Sequence, residues 1–295
     1  QALARELFRE LIEINTTHAR GSTAAAQAIQ ENLLHAGFAT TDIALLAPPE
    51  HPAKGNIVVR YHGKGLGRPV LFLGHLDVVE ANPQDWTVEP FKLTEQDGWY
   101  YGRGAIDMKS GDAALLESLL RLKREGFVPD RDIIAAFTAD EEAGGEANGP
   151  AFLLKYHREL IDADLAINLD GGGGTYRKGE RFAFEIGTSE KTYVTFTLET
   201  TSPGGHGSLP GPDNAIYRLA AGLGRIESYR FPFVLTATTR ASFAAFAELV
   251  GIQLPDDFSH LDDGFFHPTP LCAGNYRSVS RCWHLMVWHR HLAGG

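Results

Sequence analysis

The stretch Val70-Leu71-Phe72-Leu73-Gly74-His75-Leu76-Asp77-Val78-Val79 predicts a buried β-strand that ends on a histidine and a carboxylate. Residues two apart on an extended chain point to the same side, so His75 and Asp77 can face one site together. A metal-ligating imidazole is commonly held by a carboxylate. Taken alone, the stretch fits a core strand with a hydrogen-bonded histidine equally well, and the rest of the sequence has to decide between the two interpretations.

Length, charge and cysteine content limit the kinds of protein this can be. The 295 residues suffice for two domains of ordinary size, and a formal net charge of −10 argues against nucleic-acid or anionic-membrane partners. No apolar run approaches the roughly 20 residues of a membrane-spanning helix. Cys272 and Cys282 are too few for a disulfide framework. Because the sequence starts at Gln1, we expect a processed or trimmed N-terminus, which leaves a cytoplasmic, periplasmic or secreted location open.

Segments of helical and strand character alternate along the first part of the chain. Helices are predicted over residues 3–14, 23–36, 110–125 and 149–157, strands over 56–61, 70–79, 132–139 and 165–169, and a loop over 86–99. This alternation predicts an α/β domain with a largely parallel sheet and helices on both faces. In such sheets ligands bind at the carboxyl ends of the strands, where three of these strands carry acidic or histidine residues.

The pattern changes near Glu185. Thr192–Glu199 alternates like a half-exposed strand, and after a loop rich in glycine and proline Asp213–Ile226 shows helical spacing. These features predict the start of a second, α+β domain with an antiparallel sheet.

Four residues of metal-ligand type follow strands or lie in glycine-rich turns, namely His75, Asp107, Glu142 and Asp170. Glycines beside them let the backbone bend so that the side chains can converge. Glu141 and Glu142 are neighbours and cannot easily bind one ion in the same way, so one can ligate a metal while the other acts as general base. Considered alone, the acidic pair fits a solvated loop better than a site.

Three blocks in this order resemble the co-catalytic zinc peptidases and deacylases of the M20 type, the group of aminoacylase-1, carboxypeptidase G2 and succinyl-diaminopimelate desuccinylase. The blocks are Gly74-His75-Leu76-Asp77-Val78-Val79, Gly102-Arg103-Gly104-Ala105-Ile106-Asp107-Met108-Lys109 and Thr138-Ala139-Asp140-Glu141-Glu142. The resemblance covers roughly residues 1 to 245. It implies the phosphorylase/hydrolase-like fold of zinc exopeptidases, an α/β catalytic domain with a mainly parallel sheet that carries an inserted α+β lid or dimerisation domain.

The resemblance implies a role for each residue of the first metal site. His75 would bind one zinc ion and Asp77 would orient the imidazole. Asp107 would bridge two zinc ions, with a cis peptide bond between Asp107 and Met108. Asp170 would complete the first site, where some family members have a glutamate. Two Zn²⁺ per active site are expected, although Co²⁺ or Mn²⁺ suits similar ligands.

The resemblance also implies roles for the glutamate pair and for a lid histidine. Glu142 would bind the second zinc, and Glu141 would be the general base that activates water and returns the proton to the leaving amine. His206, in Ser202-Pro203-Gly204-Gly205-His206-Gly207-Ser208-Leu209-Pro210, would stabilise the oxyanion in the active site of a partner subunit. A homodimer formed through the lid domain is therefore expected. The substrate would be a small peptide or an N-acyl amino acid, cleaved as by a carboxypeptidase or dipeptidase.

The last part of the chain departs from the family pattern. The resemblance implies a final zinc-binding histidine and an arginine for the substrate carboxylate, and neither is identifiable here. We expect a catalytic domain over 1–186, a partial lid over 187–266 and an atypical tail over 267–295, in a chain that is C-terminally incomplete. The spacing of the tail histidines and cysteines does not support a metal site there. The alternative function is an inactive remnant that acts only as a metal-binding or dimerisation module.

Overall fold

The structure is a computed structural model that describes residues 2–143, 145, 147–171, 173–188, 195–206, 214–229 and 236–251. The chain divides into two compact units, residues 1–187 and 188–295. The three segments predicted from the sequence, 1–186, 187–266 and 267–295, stay a prediction, and the tail lies outside the described residues.

The first unit alternates strands and helices, as the sequence predicts. Its strands are β1 Ile43–Leu46, β2 Asn56–Tyr61, β3 Val70–His75, β4 Thr94–Gln96, β5 Trp99–Tyr101, β6 Ile133–Thr138, β7 Leu165–Asn168, β8 Gly173–Arg177 and β9 Glu180–Glu185. Its helices are α1 Ala2–Glu13, α2 Thr23–His35, α3 Lys109–Arg124, α4 Gly149–Tyr156 and α5 Arg158–Ile161, and the second unit contains α6 Ala215–Ser228 and α7 Ala237–Val250.

The central sheet has five strands in the order β1-β2-β6-β3-β7. Strand β3 pairs in parallel with β6 on one side and with β7 on the other. Strand β2 is antiparallel to both β1 and β6, so β1 runs in the same direction as β6. Four of the five strands therefore point the same way, which confirms the predicted mainly parallel α/β class.

The register of this sheet places its acidic and histidine residues at one edge. His75 pairs with Thr138, so β3 and β6 end level with each other. Strand β7 pairs with the first four residues of β3, and Asp170 follows β7 by two residues. The residues after these three strands therefore emerge side by side, as expected at the carboxyl edge of a parallel sheet.

Hydrophobic cores on both faces of the sheet hold it in place. On β6, Ala135 and Phe137 belong to the core formed with α1, α2 and α3, whereas Ile134 and Ala136 belong to the core formed with α4. This alternation follows from the two-residue period of a strand. Because both faces are covered, a continuous apolar run such as Ile133–Thr138 is the expected sequence of a central strand.

Several elements differ from the sequence-based expectation. The predicted loop over 86–99 contains β4, which forms a hairpin with β5 through Asp97 and Gly98, both at positive φ. In the predicted strand Thr192–Glu199, residues 195–199 form no strand, and the rest of that segment lies outside the described residues. The hairpin of β8 and β9 and the helix α7 are additional elements that the sequence analysis did not identify.

No helix in the described ranges combines the length and the apolar character needed to cross a membrane.

Candidate metal centre

The end of β3 presents a buried histidine. His75 is 2% exposed, and its Nδ1 lies 3.0 Å from the main-chain carbonyl oxygen of Asp77. The chain beyond the strand is fixed by Thr16, whose hydroxyl donates to the carbonyl of Leu76 at 2.7 Å and whose own carbonyl accepts from the amide of Val78. Because Nδ1 is engaged by a carbonyl at this edge, Nε2 is the nitrogen directed to a ligand.

Two carboxylates surround the other nitrogen of this imidazole. His75 Nε2 lies 2.9 Å from Asp107 Oδ1 and 3.9 Å from Asp170 Oδ2. One ligand atom from each of the three residues lies within 4.8 Å of the other two, so a small inward shift of the side chains would let all three bind one ion. An imidazole nitrogen with two carboxylate oxygens is a donor set that suits Zn²⁺ and related divalent ions.

Asp107 reaches the cluster from a tight loop rather than from a strand. Gly104 has a φ of 81°, and its carbonyl accepts from the amide of Lys109 at 2.9 Å, which closes the loop. A side chain at Gly104 would lie 2.7 Å from Val78, so only glycine fits there. The peptide bond between Asp107 and Met108 is cis, as the family resemblance implies.

Asp77 acts on two parts of the site at once. Its carboxylate lies 3.7 Å from His75 Nδ1, farther than its own main-chain carbonyl. The same carboxylate accepts the amide of Glu141 at 3.1 Å and the amide of Glu142 at 3.0 Å. The sequence analysis assigned Asp77 to the imidazole alone; its closest contacts hold the backbone of the glutamate pair.

The electrostatics of the cluster favour a bound cation. Burial by itself would lower the pKa of His75, but Asp107, Asp77 and Asp170 together raise it to about 10. Burial and the neighbouring Asp107 raise the pKa of Glu142 to about 7. Since several acidic groups compete to hold protons here, a divalent ion would relieve their repulsion, and the residues present therefore fit a metal ion.

The glutamate pair lies within electrostatic reach of the three-residue cluster. Burial raises the pKa of Glu141, and the charges of Asp170, Asp77 and Asp107 act in the same direction. A carboxylate with a raised pKa is suited to take and return a proton near neutral pH. The structure thus brings His75, Asp77, Asp107, Asp170, Glu141 and Glu142 to one edge of the sheet.

His206 belongs to the second unit, where it is exposed. Its predicted role at the oxyanion stays a prediction.

Two charged residues near the site were missed by the sequence analysis. Lys109 is fully buried and donates to the carbonyls of Leu11 and Ile14 at 2.7 Å each, and burial lowers its pKa to about 7. Asp112 is also fully buried, and neither of its oxygens has a hydrogen-bond partner among the described residues. The burial of Asp112 could have been predicted from helical spacing. Asp112 lies four residues before Leu116, so both side chains are on the buried face of α3.

A compact set of imidazole and carboxylate ligands, beside a firmly held pair of glutamates, is the type of site that metal-dependent hydrolases use. Residues 71–272 match the Peptidase family M20/M25/M40, and since this is more than half of the sequence, the chain belongs to that family. The family identified from the sequence motifs is therefore confirmed.

Individual relatives share part of the chain. It is 34% identical over 168 residues to the N-fatty-acyl-amino acid synthase/hydrolase of Xenopus tropicalis, covering 56% of this chain and 32% of that protein. It is 39% identical over 176 residues to a probable succinyl-diaminopimelate desuccinylase of Staphylococcus aureus, covering 58% of this chain and 39% of that protein. The chain thus spans about a third of the length of these curated relatives.

Among solved structures, an M20 family metallo-carboxypeptidase from Sulfolobus solfataricus matches with a TM-score of 0.48 and 20% identity, over 58% of this chain and 37% of that one.

Proposed function

We propose that this chain carries the catalytic centre of a dinuclear zinc hydrolase that cleaves a peptide or amide bond in small peptides or N-acyl amino acids. The observation that carries the proposal is the meeting of His75, Asp107 and Asp170 within 4.8 Å. The hydrogen bonds from the amides of Glu141 and Glu142 to the Asp77 carboxylate support the proposal, because they fix a proton acceptor near that cluster.

Each residue has a distinct task in this proposal. His75, Asp107 and Asp170 would hold the first ion, and Asp107 and Glu142 would supply ligands to the second. Bound zinc would polarise the substrate carbonyl and lower the pKa of water. Glu141 takes a proton from the attacking water and delivers it to the nitrogen of the leaving amine, so the C–N bond breaks without release of a free amide anion.

The lid contributes to the same proposal. We infer that His206 stabilises the oxyanion in the site of a partner subunit, which requires a homodimer. An imidazole N–H can donate a hydrogen bond to that charge. Gel filtration coupled to light scattering tests the dimer: a chain that stays monomeric at assay concentration while it turns over substrate would remove this role.

The family and the names of two relatives support a proposal for the substrate class. One relative is named a synthase and hydrolase of N-fatty-acyl amino acids and another a probable desuccinylase of succinyl-diaminopimelate, and both names describe amide bonds beside a carboxylate. We therefore propose a dipeptide or an N-acyl amino acid as substrate for this chain. Comparing kcat/KM for a dipeptide and an N-acetyl amino acid would rank the two.

A zinc titration with both substrates, together with Glu141→Gln, tests the function. We expect activity to rise to a plateau near two Zn²⁺ per chain. The variant should lose turnover by roughly 100-fold or more, because the amide cannot accept a proton, and should bind zinc as before. Loss of zinc from the variant would mean that the base and ligand roles of Glu141 and Glu142 are exchanged.

The second candidate is an inactive remnant that serves as a metal-binding or dimerisation module. It is favoured by the single three-residue metal group found within the described part of the chain. One zinc per chain without turnover would support this candidate, whereas two zinc ions with turnover would support the hydrolase.

A further inference from the structure

The residue before the proposed general base is held by a buried ion pair that the proposed mechanism does not use. Asp140 is 1% exposed and Lys54 is 7% exposed. The Lys54 ammonium donates to Asp140 Oδ1, and His18 Nδ1 lies 3.1 Å from that oxygen and 2.9 Å from Lys54 Nζ. Burial alone would raise the pKa of Asp140, but Lys54 and His18 bring it below its ordinary value, so the carboxylate is charged at neutral pH.

The ion pair stabilises an uncommon backbone conformation at Asp140. Its φ is 60°, in the left-handed region that residues other than glycine seldom adopt. The loop then folds back over the carboxylate, since a side chain at Gly145 would lie 2.5 Å from Asp140 Oδ2. This turn is what redirects the chain from the end of β6 so that Glu141 and Glu142 leave the sheet toward the metal cluster.

Lys54 is itself on a firmly anchored segment. The hydroxyl of Ser22, at the start of α2, donates to the carbonyl of Gly55 at 2.8 Å. The side-chain oxygen of Asn56 accepts from the amide of Ala139 at 2.9 Å. The segment that carries Lys54 therefore contacts the two residues that follow β6, Ala139 through Asn56 and Asp140 through Lys54.

We propose that Lys54 is a positioning residue for the general base, an inference that rests on the proposed function. It fixes Asp140 from one side, while Asp77 fixes the amides of Glu141 and Glu142 from the other. Lys54 touches neither metal nor substrate. It acts by keeping the backbone of Glu141 in the place from which its carboxylate reaches the attacking water.

The test removes the ion pair without leaving a buried charge. The double variant Lys54→Met/Asp140→Asn is neutral at both positions, and asparagine tolerates a positive φ. Lys54→Arg keeps the charge as a conservative variant. Lys64→Met is the matched control, because Lys64 forms an exposed ion pair with Asp130 at 3.0 Å away from the site.

In the zinc-loaded chain, we expect the double variant to lower kcat by roughly 10- to 100-fold while KM changes by less than about twofold. Its zinc content should equal that of the unaltered chain. Lys54→Arg should restore most of kcat, and Lys64→Met should have no effect. A second readout does not depend on activity: amide hydrogen exchange in residues 139–143 should quicken in the double variant and stay unchanged around His75.

Unchanged exchange in residues 139–143, or a kcat within twofold of the unaltered chain, would overturn the proposal. Zinc content that falls together with kcat would also overturn it, because the pair would then support the metal site as a whole. The two proposals can fail separately. If the unaltered chain shows no turnover that depends on Glu141, the proposed hydrolase is refuted. If amide exchange is nevertheless faster in the double variant, the ion pair still fixes the backbone at Asp140.

Discussion

Replacing Asp112 by asparagine is expected to change the pH dependence of stability. The Asp112 carboxyl is fully buried beneath Gly74, and neither oxygen has a hydrogen-bond partner within the described residues. Burial raises its pKa well above the usual range, although His75 and Lys109 act in the opposite direction. Between the ordinary pKa and the raised pKa, the folded chain therefore keeps a proton that the unfolded chain has already lost.

The magnitude follows from proton linkage. Above the ordinary pKa of 3.8, the unfolded state has released the proton of Asp112 while the folded state still holds it. Each pH unit in this window lowers the free energy of unfolding by about 1.4 kcal/mol. The loss ends when pH passes the raised pKa of the folded state. The asparagine variant has no such proton, so its free energy of unfolding should rise relative to that of the unaltered chain by about the same amount per pH unit.

Urea unfolding followed by far-UV circular dichroism, at pH 5, 6, 7 and 8 with chelator present, measures this difference. Asp132→Asn is the control. Burial would raise the pKa of Asp132, but the amide of Gly63 and the charge of Arg60 lower it overall, so its contribution is lost only as pH falls below the ordinary range. The control should therefore show a constant offset from pH 5 to 8. Parallel curves for Asp112→Asn and the unaltered chain would refute the reasoning.

Further outcomes are expected at neighbouring positions. Gly74→Ala should destabilise the fold by about 1–3 kcal/mol in urea unfolding, since its Cβ would lie 2.4 Å from Asp112 Oδ1; an unchanged midpoint would contradict this packing. Zinc binding should release about one proton from His75 at pH 7, because the pKa of about 10 in the metal-free chain keeps the imidazole protonated until the ion binds. Calorimetry in buffers of different ionisation enthalpy would measure the released proton, and zinc affinity should rise with pH. Asp77→Asn should speed amide exchange at the glutamate pair, because one carboxylate oxygen that accepts there becomes a donor; protected amides would argue against the contact.

The central strands were predictable because their sequences carry strong and simple signals. Residues 133–137 are apolar throughout, and residues 57–59 form a shorter apolar run, so both stand out as strands covered on two faces. The candidate ligands His75 and Asp170 stood out in the sequence because His75 ends β3 and Asp170 follows β7 by two residues. The motif around Asp107 added the third ligand through family resemblance rather than through periodicity.

Other features depend on contacts between distant residues, which a sequence pattern does not reveal. The strand predicted over 192–199 rested on alternation alone, and alternation does not specify a pairing partner. The Lys54–Asp140 ion pair joins residues 86 positions apart, and nothing local to either residue predicts it. The contacts of Asp77 with the glutamate amides likewise exist only once β3 and β6 lie side by side.

The spread of the metal ligands over β3, the loop before α3 and the end of β7 ties the ion to folding as a whole. No two of these proposed ligands are close in sequence, so an unfolded chain offers no preformed site, and an ion would bind only after the parallel strands have paired. By mass action, the free energy of unfolding would then rise with the concentration of free zinc. Free zinc at 100 times its dissociation constant would stabilise the fold by about 2.7 kcal/mol. Chelation would withdraw that stabilisation from the whole sheet rather than loosen one loop.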